Sequence, residues 1–268
     1  MRIAKSKVFA KKSFGQNFLV DENIINKIIA ALNPQKNEII IEIGAGRGAL
    51  TEKLVESGAQ IIAVELEREM IAILTEKFNR AENFHLIEND ALKINFGEII
   101  SVFKFQDSYS KEIKLVANLP YNISTAILQK LIKQREIFSE MILMFQSEVA
   151  EKITAQIGNS ERGFLSVLAQ NYLFTEKLFD VQPTAFRPIP KVLSSVLSLK
   201  PKPKIIENET LFREIIAISF AQRRKTILNN LKRRFNNAEK ILNQCEIDTK
   251  RRAETLTLEE WQRLCAIL

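Results

Sequence analysis

The amino-acid sequence predicts an α/β fold: a Rossmann-like domain on a seven-stranded, mostly parallel sheet, with a small all-α domain at its C-terminal side. Three observations carry that prediction. Short apolar, β-branched runs alternate with segments of helical period as far as residue 165, a glycine cluster closes the first run, and only helical periods follow a Lys-Pro-Lys-Pro-Lys stretch.

The elements follow in order. Ile24, Ile25, Ile28, Ile29 and Leu32 make one apolar stripe, so a helix is expected over residues 22–32. Buried strands are expected over 38–43, 61–64, 84–87, 113–117 and 141–145, each separated from the next by a helical period. Beyond residue 165 the rhythm changes. Residues 165–179 and 192–199 read as a closing antiparallel pair, and the proline-bearing stretch 182–190 between them is a natural rim for a site. Residues 200–204 read as a stiff linker, followed by helices near 208–220, 224–234 and 257–267. The domains expected are therefore 1–203 and 204–268.

Composition narrows the function classes. A chain of 268 residues with 46% hydrophobic content can bury one α/β core and a smaller one. The formal charge of +7 fits a polyanionic partner or a plain solvated surface. Its distribution is more informative: residues 185–268 hold 17 Lys and Arg against 9 Asp and Glu, whereas the rest is nearly balanced. Arg2, Lys5, Lys7, Lys11 and Lys12 form a second cluster, either a phosphate-contacting arm or a solubilising tail. Cys245 and Cys265 show no Cys-x-x-Cys spacing, which suits a reducing, cytoplasmic setting. No apolar run approaches the roughly 20 residues of a membrane span, so no membrane association is expected. The single histidine, His85, falls in an expected buried strand and reads as a satisfied core residue. A Ser-His-Asp hydrolase is thereby disfavoured, and no His/Cys cluster has zinc-ligand spacing, so no metal is expected.

Two motifs carry chemistry. Glu42-Ile43-Gly44-Ala45-Gly46-Arg47-Gly48 joins a strand end to a helix start, where glycines let backbone amides approach a ligand. A Gly-x-Gly-x-Gly spacing differs from the Gly-x-Gly-x-x-Gly of dinucleotide binders and points to S-adenosylmethionine rather than NAD. Glu65, about twenty residues on at the next strand end, is placed to accept from both ribose hydroxyls, and Asp90, after the third strand, from an adenine amino group. Leu66 and Ala91 beside them, and Gly46 in the loop, complete the expected cofactor lining. Asn118-Leu119-Pro120-Tyr121 follows the fourth strand. It reads either as a turn with a packed tyrosine or as an amino-methylating site. In the second case the Asn118 side-chain oxygen and the Leu119 carbonyl, held by Pro120, would localise the lone pair of an adenine amino group while Tyr121 stacks on the base.

At these residues the chain resembles the ribosomal RNA adenine dimethyltransferase family, nearly end to end. The matches are Gly15-Gln16-Asn17-Phe18-Leu19, Glu42 to Gly48, Asn118-Leu119-Pro120-Tyr121-Asn122-Ile123-Ser124, residues 183–192 with Phe186, Pro188, Pro190 and Lys191, Gln222-Arg223-Arg224-Lys225-Thr226, and Arg252-Ala253-Glu254. The resemblance implies a class I methyltransferase fold. It places Asn17, Leu19, Gly44, Glu65, Asp90 and Asn118 at S-adenosylmethionine and makes Phe186 a second stacking aromatic opposite Tyr121, the alternative being a loop phenylalanine buried under the prolines. It also implies a substrate: two adjacent adenines in the 3′-terminal hairpin loop of 16S small-subunit ribosomal RNA, within the assembling subunit. Arg223, Arg224, Lys225, Lys232, Arg233 and Arg234 would meet RNA phosphates. A monomer is expected. The related large-subunit adenine methylases and a non-catalytic assembly factor are the competing readings. Departures are Ala117 where the family commonly has glycine and Ser147 where lysine is usual; residues 101–111 look locally expanded, with no assigned role.

Overall fold

The structure is a computed structural model that describes residues 17–103 and 112–268. The basic cluster from Arg2 to Lys12, together with Gly15, Gln16 and most of the expanded 101–111 stretch, lies outside the described residues. The chain divides into two compact units, residues 1–147 with 176–201 and residues 148–175 with 202–268.

The first unit is organised by a seven-stranded sheet of order β4-β3-β2-β5-β6-β9-β7. Its strands are β2 (Ile39–Ile43), β3 (Gln60–Glu65), β4 (Phe84–Glu88), β5 (Ile113–Asn118), β6 (Glu140–Gln146), β7 (Leu173–Val181) and β9 (Ser194–Pro201). The strands β2 to β6 pair in parallel and β9 runs antiparallel to β6. Near-continuous runs such as Ile39-Ile40-Ile41 and Leu115-Val116-Ala117 are buried because helices cover both faces of a parallel sheet. These helices are α1 (Glu22–Leu32), α2 (Ala49–Glu56), α3 (Arg68–Lys77), α4 (Phe96–Val102) and α5 (Ser124–Lys133). The helix α1 begins where Asp21 caps the amides of Asn23 and Ile24, and it buries Ile25, Ile28 and Leu32 as its stripe requires. A short ribbon of β1 (Phe18–Leu19) and β8 (Phe186–Arg187) completes this unit.

After β2 the chain lays down β3 and β4 on one side and β5 and β6 on the other, so β2 and β5 flank the point where the winding reverses. Ligands bind at such a point, beyond the C-terminal strand ends. Register brings the motifs there: Ile43 pairs with Val64 on one side and Ala117 on the other, setting Gly44 beside both Glu65 and Asn118.

The second unit is helical: α6 (Ser147–Thr154), α7 (Phe164–Tyr172), α8 (Glu209–Ser219), α9 (Ile227–Leu231), α10 (Ala238–Gln244) and α11 (Leu258–Ile267), with α8 packed against α7, α9 and α11. Several expectations change here. Residues 164–172 are helix, because Val167, Leu168, Asn171 and Tyr172 recur at helical spacing and are buried together. That segment belongs with the C-terminal helices, so the division of the chain is not the single cut at 203/204. Lys200 and Pro201 continue β9, and Lys202 is tied down through its ammonium to the Gln170 carbonyl at 2.7 Å, so this stretch is not a free linker. The expected 224–234 helix contracts to α9, leaving its cations in the flanking loops, and α10 adds a helix not foreseen.

Candidate active site

Three hollows of about 80, 310 and 320 Å³ meet at Gly44. Gly44 has φ of +71°, left-handed backbone that glycine adopts without strain, and a Cβ placed on it would meet no atom within 4 Å. Its amide donates to the Val64 carbonyl at 2.8 Å, so the loop is pinned to β3 while its outer face stays open. Gly48 has a different reason to be glycine: a Cβ there would come within 2.8 Å of the Phe78 ring.

The largest of these three is lined by Ile43, Val64, Leu66, Ala91, Ile123 and Ile127, with Glu65 and Asp90 among them. An apolar slot with two carboxylates suits a flat purine carrying hydroxyl and amino donors. Glu65 is the better held of the two. One carboxylate oxygen accepts from the Leu66 and Glu67 amides at 2.8 and 3.0 Å and the other from the Gly46 amide at 2.9 Å. Of about four lone-pair directions, one is left, so a single ribose hydroxyl fits as the site stands and a second requires an amide to let go. Asp90 accepts from the Leu92 amide at 2.9 Å and also lines the hollow.

The second hollow, lined by Phe18, Leu19, Gly46, Arg47 and Asn118, has Glu42 in its wall. The sequence assigns Glu42 no role of its own within the glycine motif. Its carboxylate is buried, with the Thr51 hydroxyl donating to it at 2.6 Å. Burial pushes its pKa from 4.5 up to about 7; the Thr51 hydrogen bond opposes the rise, nearby Glu65 adds to it, and Lys77 opposes it. A cationic ligand is what such a wall is short of. Phe18, also unassigned by the sequence, lies in the linings of two hollows with the Arg47 guanidinium 4.4 Å from its ring centre.

The smallest hollow joins Asn17, Gly44, Glu65, Asn118, Leu119, Pro120 and Tyr121. The Asn118 side-chain nitrogen donates to the Asn17 carbonyl at 3.2 Å. A carbonyl can only accept, which fixes the amide's orientation and leaves its Oδ1 as an acceptor in the cleft lining. The Ile123 amide donates to the Pro120 carbonyl and the Ser124 hydroxyl to the Tyr121 carbonyl, so the motif is a closed turn at the head of α5. The tyrosine is both packed and in the lining: its hydroxyl bonds Ser194 Oγ at 2.7 Å.

Phe186 is not brought to the cleft. It is fully buried, pairs with Leu19 across the β1–β8 ribbon, and packs with Ile25, Ile28 and Val196 in the core. Strand alternation explains this placement: Phe186 points inward and exposed Arg187 outward. His85 is half-buried rather than in the core, because β4 is an edge strand; its Nε2 lies 3.1 Å from Gln60 Oε1, and burial lowers its pKa. In the second unit, Arg223 donates to the Ser160 carbonyl, Arg234 pairs with Glu214 at 3.0 Å and Lys232 with Glu239 at 3.5 Å, while Arg224, Lys225 and Arg233 are exposed. No described helix is long and apolar enough to cross a membrane.

An open glycine loop, two strand-end carboxylates and an oriented asparagine amide suit a cationic nucleoside cofactor beside a flat amino-bearing substrate. Comparison with known proteins agrees. The family model for ribosomal RNA adenine dimethylase matches residues 8–268. A Clostridium botulinum protein called ribosomal RNA small subunit methyltransferase A is 41% identical over 94% of this chain and 92% of its own length. A protein of the same description from Hahella chejuensis is 38% identical over 95% and 91%. Among solved structures, a dimethyladenosine transferase from Plasmodium falciparum superposes with a TM-score of 0.79 at 26% identity, over 92% of this chain and 95% of that one. The 23S rRNA methyltransferase ErmE shares the fold, with a TM-score of 0.70 at 22% identity over 94% and 99%. With the match spanning both units, the chain belongs to the ribosomal RNA adenine dimethylase family.

Proposed function

We propose that this S-adenosylmethionine-dependent rRNA adenine dimethyltransferase modifies the exocyclic amino groups of two adjacent adenines in the 3′-terminal hairpin loop of small-subunit RNA. It acts as a cytoplasmic monomer on the assembling small subunit. The observation that carries the reading is the Asn118 amide, anchored through nitrogen to Asn17 with its oxygen left as an acceptor beside Gly44.

Gly44, Gly46, Leu66, Ala91, Asn17, Leu19 and Asn118 would line the cofactor, with Glu65 on its ribose, Asp90 on its adenine and Glu42 facing its positive charge. When bound, that cofactor supplies a methyl group on a sulfonium. An adenine amino nitrogen is a poor nucleophile because its lone pair is delocalised into the ring. Asn118 Oδ1 and the Leu119 carbonyl accept its hydrogens and localise that lone pair, Pro120 holds the turn, and Tyr121 stacks on the base, which is worth about 1–3 kcal/mol. Loop bases are unpaired and can be splayed out for this. Phe186 takes the opposite face only if it leaves the core. Arg223, Arg224, Lys225, Lys232, Arg233 and Arg234 attract RNA phosphates, with Arg224, Lys225 and Arg233 the most available.

Asn118→Ala is expected to lower methyl transfer by about 10²–10³-fold while small-subunit binding persists. Unchanged transfer would sink the role given to Asn118. This variant also separates a catalyst from an assembly factor that merely binds.

A further inference from the structure

Tyr121 is held twice. Its backbone belongs to the closed Asn-Leu-Pro-Tyr turn, and its hydroxyl reaches across the sheet to Ser194, the first residue of β9 and fully buried. Burial raises the tyrosine pKa, so the phenol keeps its proton and the bond persists across neutral pH. Ser194 is itself anchored through its neighbour. Ser195 Oγ lies 2.6 Å from Asp180 Oδ1 and 2.8 Å from Ser147 Oγ. Lys177, at 2.8 Å, and the Ser195 hydroxyl hold the Asp180 carboxyl below its ordinary range, so it is ionised and only accepts. Ser195 must therefore donate to Asp180, and Ser147 must donate to Ser195, which gives the chain one direction. The Ser147 amide also donates to the Leu193 carbonyl at 2.9 Å, immediately before Ser194. The start of β9 is thus fixed to the ends of β6 and β7 where it meets the stacking ring.

We infer that Ser194 is a positioning residue for the methyl transfer: backed by Ser195, Asp180 and Ser147, it sets the plane of the Tyr121 ring and so the distance of the stacked amino group from the donor. This rests on the reading of Tyr121 as the base platform. Displacements near 1 Å at a reacting centre cost up to about 10²-fold in rate, and a tethered ring that gains a few tenths of an ångström of play loses a fraction of that.

The test uses the full chain, undermethylated small subunits and S-adenosylmethionine, reading kcat, KM and cofactor affinity separately. Ser194→Ala is expected to lower kcat about tenfold with cofactor affinity unchanged. Tyr121→Phe removes the same bond from the other side and should give the same fall, the double variant no further fall, and Ser194→Thr recovery. Wild-type kcat in Ser194→Ala, or losses that multiply in the double variant, overturns the inference. If Ser194→Ala does not fold, Tyr121→Phe decides alone: a tenfold fall in kcat supports the tether and an unchanged rate overturns it. Tyr121→Ala keeps the two claims apart, since wild-type transfer by that variant refutes the platform itself.

Discussion

A buried glutamate stands near each end of β2, Glu38 just before it and Glu42 four residues on, and they are treated in opposite ways. At the start, Glu38 takes Lys114 at 2.9 Å, and that ammonium also donates to the Leu32 and Asn33 carbonyls at 3.2 Å. The other Glu38 oxygen accepts from the Gln35 amide at 2.9 Å. Every donor and charge there is answered. At the far end Glu42 has a hydroxyl and, among the described residues, no cation in hydrogen-bond contact, beside a second buried carboxylate and an open glycine loop. A satisfied buried pair is scaffold, whereas buried like charges facing a hollow leave work for a cationic ligand.

Breaking the satisfied end should produce the largest change in stability. Lys114→Met strands Glu38, and about 3–5 kcal/mol is expected to disappear from the unfolding free energy, with methyl transfer per folded molecule unchanged. Denaturant titration beside an activity assay checks both; a loss of activity in the folded fraction would mean that the two ends are not separable. The open end should respond the other way. Gly44→Ala puts a Cβ into the hollow proposed for the cofactor, so cofactor affinity by calorimetry should fall at least about tenfold, with only about 1 kcal/mol of strain in stability. Unchanged affinity would show that the hollow over Gly44 is not the cofactor's place.

The remaining effect concerns pH. The Glu42 pKa, about 7, lies above the ordinary 4.5, so the folded chain keeps this proton longer than the unfolded one. Its contribution to stability is therefore present below about 4.5 and lost as pH rises through about 7, at about 1.4 kcal/mol per unit of difference. Thermal melts of Glu42→Gln should lack that decline between pH 5 and 7. A wild-type profile that rises over the same range would contradict the assignment.

How much of this was legible in the sequence follows the same contrast. The parallel strands were readable because burial on both faces writes an apolar run, as in Ile39-Ile40-Ile41, and the glycine loop and Asn118 were readable because their spacing from strand ends is local. Whatever depends on distant pairing was not. The burial of Phe186 comes from its pairing with Leu19, and the Tyr121 tether joins residues 73 apart in the chain. The helix α7 was misread for a local reason: Leu165, Val167 and Leu168 satisfy a strand pattern until Asn171 and Tyr172 reveal the helical period. Lys114, a lysine in an apolar strand, announces a partner but not which one.

The central claim is that the cleft at the open end of β2 dimethylates adenine. Its most direct test is transfer from labelled S-adenosylmethionine to undermethylated small ribosomal subunits, followed by digestion to nucleosides and chromatography. Dimethyladenosine in the 3′-terminal hairpin is the predicted result; no transfer despite cofactor and subunit binding, or label on another nucleoside, would contradict it.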